Sequence, residues 1–374
     1  MSLYKKNILF IVIFTLCALG SVPAFVWLVD PFHIYHRDTW INRGKTIGGG
    51  IESLKNGAIV RSGYLNGGID GVFAGGCVSN GVNISDFKRA VQGKKNFVHL
   101  YTTSVNFNPS HIEMLQWMLK KKDLRHVFIL NPLAIFSPRS FRGGCDLFYH
   151  PERSLFMKSG IFSAIAMVLS HFQFLKRPLR PPEKRHLWQP EDPKEFFKHA
   201  MKSRNKGVIS SVIIDDKFQN KTDNPLLQLI AEHPEVTFYL LFFPQWSLND
   251  KNAVKMNLKD TSFYIENTKT FPNVKIYDFR DVPHTVIATN WGDGVHFFSP
   301  MFCKFMAYCI EHSLHTITAK NYDAYKKHIL DVLKSFNLSD YPDRSTSFEE
   351  LVAYEESLHP ELKKQKAEEG VANQ

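Results

Sequence analysis

Cysteine is scarce in this chain of 374 residues: there are five, at Cys17, Cys77, Cys145, Cys303 and Cys309, with no Cys-x-x-Cys pair. That number and scatter exclude a disulfide-built scaffold and argue against a structural zinc site. His33, His36, His99, His111, His126, His150, His171 and His186 add no metal-ligand spacing. Acidic residues are also short, 36 Asp and Glu against 46 Lys and Arg, for a formal net charge of +10. The surplus suits a negatively charged partner, a membrane surface or an anionic polymer. It does not read as nucleic-acid binding: the basic residues are scattered, and zinc-finger spacing, a basic zipper and RRM-type aromatic motifs are missing. No internal repeat is visible. What is present is ordinary globular composition, 44% hydrophobic and 22% charged, which excludes wholesale disorder and supplies a sizeable core. The length allows one large domain or two ordinary ones.

Charge is absent from residues 8–29, a run of 22 residues preceded by Lys5 and Lys6. About 20 apolar residues, rising 1.5 Å each, cross a hydrocarbon core of roughly 30 Å. The basic end is expected to stay in the cytoplasm and the rest of the chain to lie outside. Trp27 stands near the outer end, at the place of an interfacial aromatic. A cleaved signal peptide competes with this reading, with small residues at 18–21 as a weak cleavage site, but the apolar run continues past it. The expectation is an uncleaved single-pass anchor over residues 1–29.

Residues 30–68 read as a polar connector containing Gly48-Gly49-Gly50. Beyond it, short apolar runs at 71–74, 97–101, 126–130, 236–243 and 274–277 suit strands buried on both faces. Helical patterns lie between and after them at 110–121, 225–232 and 301–315, the first with a Ser110-x-x-Glu113 capping box. Strands alternating with helices predict an α/β fold with a mostly parallel sheet, here spanning residues 69–335. Residues 139–206 interrupt the alternation. They hold an apolar run at 155–175 whose one charge is Lys158, then the basic stretch 176–186. The run reads first as a buried or capping helix, second as a segment dipping into the membrane or docking on a membrane partner. A second full span would put the two halves of the sheet on opposite sides of the membrane. Residues 336–374 read as a charged surface tail, helical in pattern at 348–354.

Two short blocks can carry chemistry. Gly75-Gly76-Cys77-Val78-Ser79-Asn80-Gly81 follows the first strand directly. The end of a first parallel strand is where α/β folds bind ligands. Small residues permit a tight turn and close substrate approach, and a helix N-terminus favours a thiolate at Cys77. The bland reading is a tight turn holding an inert buried cysteine. Trp291-Gly292-Asp293-Gly294-Val295-His296 precedes the last strong helix. There Asp293 can orient His296 as a general base, or the two are simply a turn cap and a satisfied histidine.

A nucleophile after the first strand and Asp-x-x-His before the last helix resemble the SGNH (GDSL-like) esterases and acyltransferases. Gly75, Gly76, Cys77 and Gly81 stand at the positions of the family's Gly-Asp-Ser-x-x-x-Gly block, and Asp293 and His296 at those of its last block. Asn131 falls where the family often places an oxyanion-hole Asn, and Ser104 and Asn106 where its second block has Gly. The likeness covers residues 69–315. With the N-terminal anchor, Phe243-Pro244 and Tyr277-Asp278-Phe279-Arg280, the chain looks most like the membrane-anchored, extracytoplasmic branch. That branch includes the D-alanyl transfer protein and the alginate O-acetylation proteins.

The resemblance implies a flavodoxin-like three-layer α/β/α domain at the bacterial cytoplasmic membrane, on its outer or periplasmic side. It implies transfer or removal of an acyl group, O-acetyl foremost, on a cell-surface polysaccharide beside a membrane-bound O-acyltransferase. Cys77, His296 and Asp293 would be catalytic, and Asn131, Gly76, Ser104 and Asn106 would line the oxyanion and substrate site, with no cofactor or metal. Three departures stand out: Cys77 replaces the usual Ser, Gly76 the usual Asp or Ser, and the second-block Gly is absent. A Cys paired with His serves as a nucleophile, but the same departures suit an inactive scaffold or glycan-binding subunit. Ser79 is a fallback nucleophile. Cys303 and Cys309 read as core.

Overall fold

Five runs rich in β-branched and aromatic residues pair side by side as one parallel sheet. They are β1 (Ile69–Gly75), β2 (Asn96–Tyr101), β3 (His126–Leu130), β4 (Thr237–Phe242) and β5 (Val274–Asp278), in the order β2-β1-β3-β4-β5. All seven residues of β1 are buried, as are the last four of β3 and the last five of β4. The expected α/β class with a parallel sheet is therefore present. The order matters for function. From β1 the chain steps outward to β2, then returns to the other side of β1 for β3, β4 and β5. The C-terminal ends of β1 and β3 thus flank a reversal of direction, the place where open parallel sheets form a ligand crevice.

The computed structural model describes residues 3–30, 52–76, 79, 82–101, 107, 109–132, 155, 158–171, 224–243, 251–280, 300–335 and 347–358. Its helices in chain order are α1 (Leu3–Val29), α2 (Glu52–Leu65), α3 (Ile84–Ala90), α4 (Pro109–Leu119), α5 (Lys158–His171), α6 (Pro225–Glu232), α7 (Lys251–Thr268), α8 (Pro300–Glu311), α9 (Tyr322–Ser335) and α10 (Phe348–Leu358). The chain divides into two units, Met1–Asn66 with Phe141–His186, and Gly67–Ser140 with Leu187–Gln374.

In the sheet unit, caps mark several helix starts. Asn224 accepts hydrogen bonds from the Leu226 and Leu227 N–H groups at 3.0 and 3.1 Å, with Pro225 opening α6. α4 begins at Pro109, one residue before the expected start at Ser110. A capping box does form at α10, where Glu350 N–H donates to Ser347 Oγ (3.2 Å) and Ser347 N–H to Glu350 Oε2 (2.8 Å). Within the expected surface tail 336–374, the described helix α10 is partly buried. Leu351 and Glu355 are buried and α10 packs on α8, because its apolar and acidic side chains recur on one face. The expected helix 301–315 ends at Glu311; Ser313 and His315 then take left-handed backbone angles, φ +55° and +56°.

The core on one sheet face is aromatic. Phe73 meets Phe87 of α3 edge-on at 5.0 Å, and Phe128 stacks on Tyr239 at 4.4 Å. Gly71 is needed for this packing, since a Cβ there would lie 2.0 Å from the Phe97 ring.

In the other unit, α1 holds one stretch, Lys6–Val29, long and apolar enough to cross a membrane. α2 lies within what reads as a connector; its 14 residues carry too little apolar periodicity to announce a helix. α5 forms in the 155–175 run and packs on the C-terminal part of α1. Val26, Val29, Ala164 and Met167 are buried together, flanked by Phe25, Leu155, Ile161 and Val168.

Candidate functional site

β1 ends at Gly75 and β3 at Leu130, so Gly76 and Asn131 are the first residues beyond the two strands that flank the reversal. Asn131 has φ +48°, a left-handed conformation that Asn tolerates better than most side chains. That turn lets it lock the strand ends together. Its backbone N–H donates to Leu241 O at 2.8 Å, and its Oδ1 accepts from Phe243 N–H at 2.8 Å. With Oδ1 accepting from Phe243, the amide orientation is set and Nδ2 is its donor end. Next along the sheet edge, Phe279 N–H donates to Phe242 O at 3.0 Å.

The β1 turn is braced from two sides. The Ser79 hydroxyl lies 2.6 Å from Gly76 O and 2.8 Å from His99 Nε2, and Ser79 is fully buried. A hydroxyl has one proton. With it given to Gly76 O, His99 Nε2–H donates to Ser79 Oγ, which fixes the neutral His99 tautomer. His111 Nε2–H donates to Gly75 O at 3.1 Å, its ring stacked on Phe107. Both glycine carbonyls are therefore satisfied. A Cβ on Gly75 would meet Ser79 Cβ at 2.7 Å, so only glycine leaves room for this brace. Ser79, the fallback nucleophile, is a brace rather than an exposed hydroxyl. His99 and His111 escaped sequence reasoning because each stands alone in its element, with no spacing to mark it.

Burial pushes the His99 pKa from 6.5 down to about 4. Between those values the unfolded chain binds a proton that the folded chain refuses, so stability rises with pH. The contribution is complete above pH 6.5 and is lost as pH falls toward 4, a loss of up to about 3 kcal/mol. His99→Gln is expected to flatten the melting temperature against pH across this window. An unchanged slope in the variant would show that another group is responsible.

A buried ion pair lies at the C-terminal end of β5. Asp278 ends β5, and the Arg280 guanidinium grips it: Nε–H donates to Oδ1 at 2.8 Å and one terminal nitrogen contacts Oδ2. The same nitrogen donates to Thr261 Oγ1 of α7, and Thr261 donates to Asp278 Oδ2 at 3.2 Å. Burial opposes the charge on Arg280, but Asp278 overcomes it and holds the pKa above the usual arginine value. In sequence, Asp293 and His296 fall between this pair and α8.

Cys77, Ser104, Asn106, Asp293 and His296 lie outside the described residues. Of the expected site, the structure places Gly76 and Asn131, at the ends of the two strands beside the reversal. Among the described residues, one group has metal-ligating atoms close together: Cys309, His315 and Glu355, within 4.8 Å of one another. Cys309 and Glu355 are buried and His315 is half-buried, with His315 Nε2 hydrogen-bonded to Glu355 Oε1, which ties α10 to the turn after α8. Cys303 and Cys309 are buried, as expected of core residues, and burial pushes the Cys303 thiol up to about 12. No family model, curated protein or solved structure matches the chain.

Proposed function

We propose that this protein is a membrane-anchored acyltransferase or esterase of the SGNH type, with a three-layer α/β/α domain outside the cytoplasmic membrane of a bacterium. It would add or remove an acyl group, O-acetyl foremost, on a cell-surface polysaccharide, next to a membrane-bound O-acyltransferase. The observation that carries the reading is the placement of Gly76 and Asn131 at the ends of β1 and β3, with the Asn131 amide turned so that Nδ2 remains as donor. α1, by its length and polarity, supports single-pass anchoring.

In this mechanism the Cys77 thiol gives its proton to His296, oriented by Asp293, and the sulfur attacks the acyl carbonyl. The Cys77 N–H and Asn131 Nδ2 hold the oxyanion. His296 passes the proton to the departing alkoxide, leaving a thioester on Cys77. The acceptor hydroxyl, or water, then attacks; His296 takes its proton and returns it to the Cys77 sulfur as the thioester breaks. Ser104 and Asn106 would border the substrate, and the net charge of +10 suits an anionic glycan.

The test is intact mass of the detergent-solubilised full chain after incubation with an activated acetyl ester. A single acetyl adduct is expected, absent in both Cys77→Ala and His296→Ala. An adduct that persists in Cys77→Ala means a different nucleophile. No adduct on folded protein favours the scaffold reading, for which the Cys77 and Gly76 departures already speak.

A further inference from the structure

α5 carries two apolar faces, and packing on α1 buries one of them. Ala164 and Met167, with Ile161 and Val168, pack on Val26 and Val29 of α1. On the other side Phe162, Ile165 and Leu169 are 58, 40 and 36% exposed. They recur at i, i+3 and i+7, a continuous stripe on a helix. A contiguous exposed apolar stripe of this kind marks a contact surface.

We propose that this stripe is embedded in lipid: α5 is an interfacial helix lying in the leaflet reached by the C-terminal end of α1. The proposal rests on the reading of α1 as a membrane span. Three observations select lipid over a protein partner. The stripe is continuous with an apolar surface of the same kind, because α5 docks on α1 within one turn of Trp27 and Leu28, themselves exposed. That position matches the end of the hydrocarbon layer. Lys6–Val29 has 24 residues, about 36 Å at the helical rise, slightly more than the roughly 30 Å core. α5 has 14 residues, about 21 Å, too short to cross but suited to lying at the boundary. Finally, five Lys and Arg with one Glu follow at 176–186, a charge pattern that attracts anionic headgroups.

The measurement is acyl-chain photolabelling. The full chain is reconstituted, dilute, in phosphatidylethanolamine and phosphatidylglycerol vesicles carrying a diazirine within the acyl chain, and labelled peptides are mapped by mass spectrometry. Labels are expected in both 8–29 and 159–176. The Phe162→Gln, Ile165→Gln, Leu169→Gln triple variant changes exposed side chains and spares the α1 contact, so it should fold. Its 159–176 label is expected to fall about tenfold with the 8–29 label unchanged. Label in 8–29 but none in 159–176 overturns the proposal and leaves the anchor intact. No label in either segment removes the anchor itself. Undiminished α5 labelling in the triple variant shows contact unrelated to the stripe and also overturns it.

Discussion

Asp278→Ala is expected to lower the free energy of unfolding by about 3–5 kcal/mol, among the largest single-residue effects on stability in the sheet unit. The Asp278 and Arg280 side chains are almost wholly removed from water, at 0 and 3% exposure. A buried pair of this kind does not owe its effect to net attraction, since the cost of drying two charges nearly cancels the Coulomb gain. The penalty comes from breaking it. Without Asp278, the Arg280 guanidinium stays buried with Thr261 and the face of Phe242, whose ring centre lies 5.2 Å away, and neither cancels the charge. The double variant Asp278→Ala, Arg280→Met should therefore recover much of the loss. Urea unfolding of the two variants decides the matter: a double variant as unstable as the single one would mean that the clamp acts through packing, not charge.

Asn131→Asp is expected to slow acyl transfer about 10²–10³-fold, the usual cost of losing an oxyanion donor, while the protein stays folded. The replacement keeps what the fold uses: an oxygen to accept the Phe243 N–H, and a side chain that tolerates φ +48°. It removes what the reaction would use, the Nδ2 donor, and puts a carboxylate where negative charge must develop. Asn131→Ala removes both. It removes the acceptor of the Phe243 N–H, costing about 1–3 kcal/mol of stability as well as the rate. Rates of adduct formation with melting temperatures separate the two losses. Full activity in a folded Asn131→Asp protein would remove Asn131 from the mechanism.

The α/β class and strand positions were legible because a strand buried on both faces must be apolar at nearly every position, as β3 and β4 are. α1 was legible for a similar reason: 22 uncharged residues have few stable homes outside a membrane. α2 and α7 were not, since their stability comes from what they pack against rather than from a strong pattern of their own. The start of α4 was legible to within one residue, Pro109 in place of Ser110.

By itself the sequence determined which segments are apolar and which blocks hold nucleophile, acid and base types, because burial and reactivity are written into side-chain chemistry. Tertiary structure alone decided that β3 lies beside β1, so that Gly76 and Asn131 flank one reversal. It alone joined Ser79 and His99 as a brace on the β1 turn, and seated α5 on α1. The reason is physical. Each outcome depends on contacts between residues distant in the chain, and no local preference encodes which partner a buried hydrogen bond or an apolar face will meet.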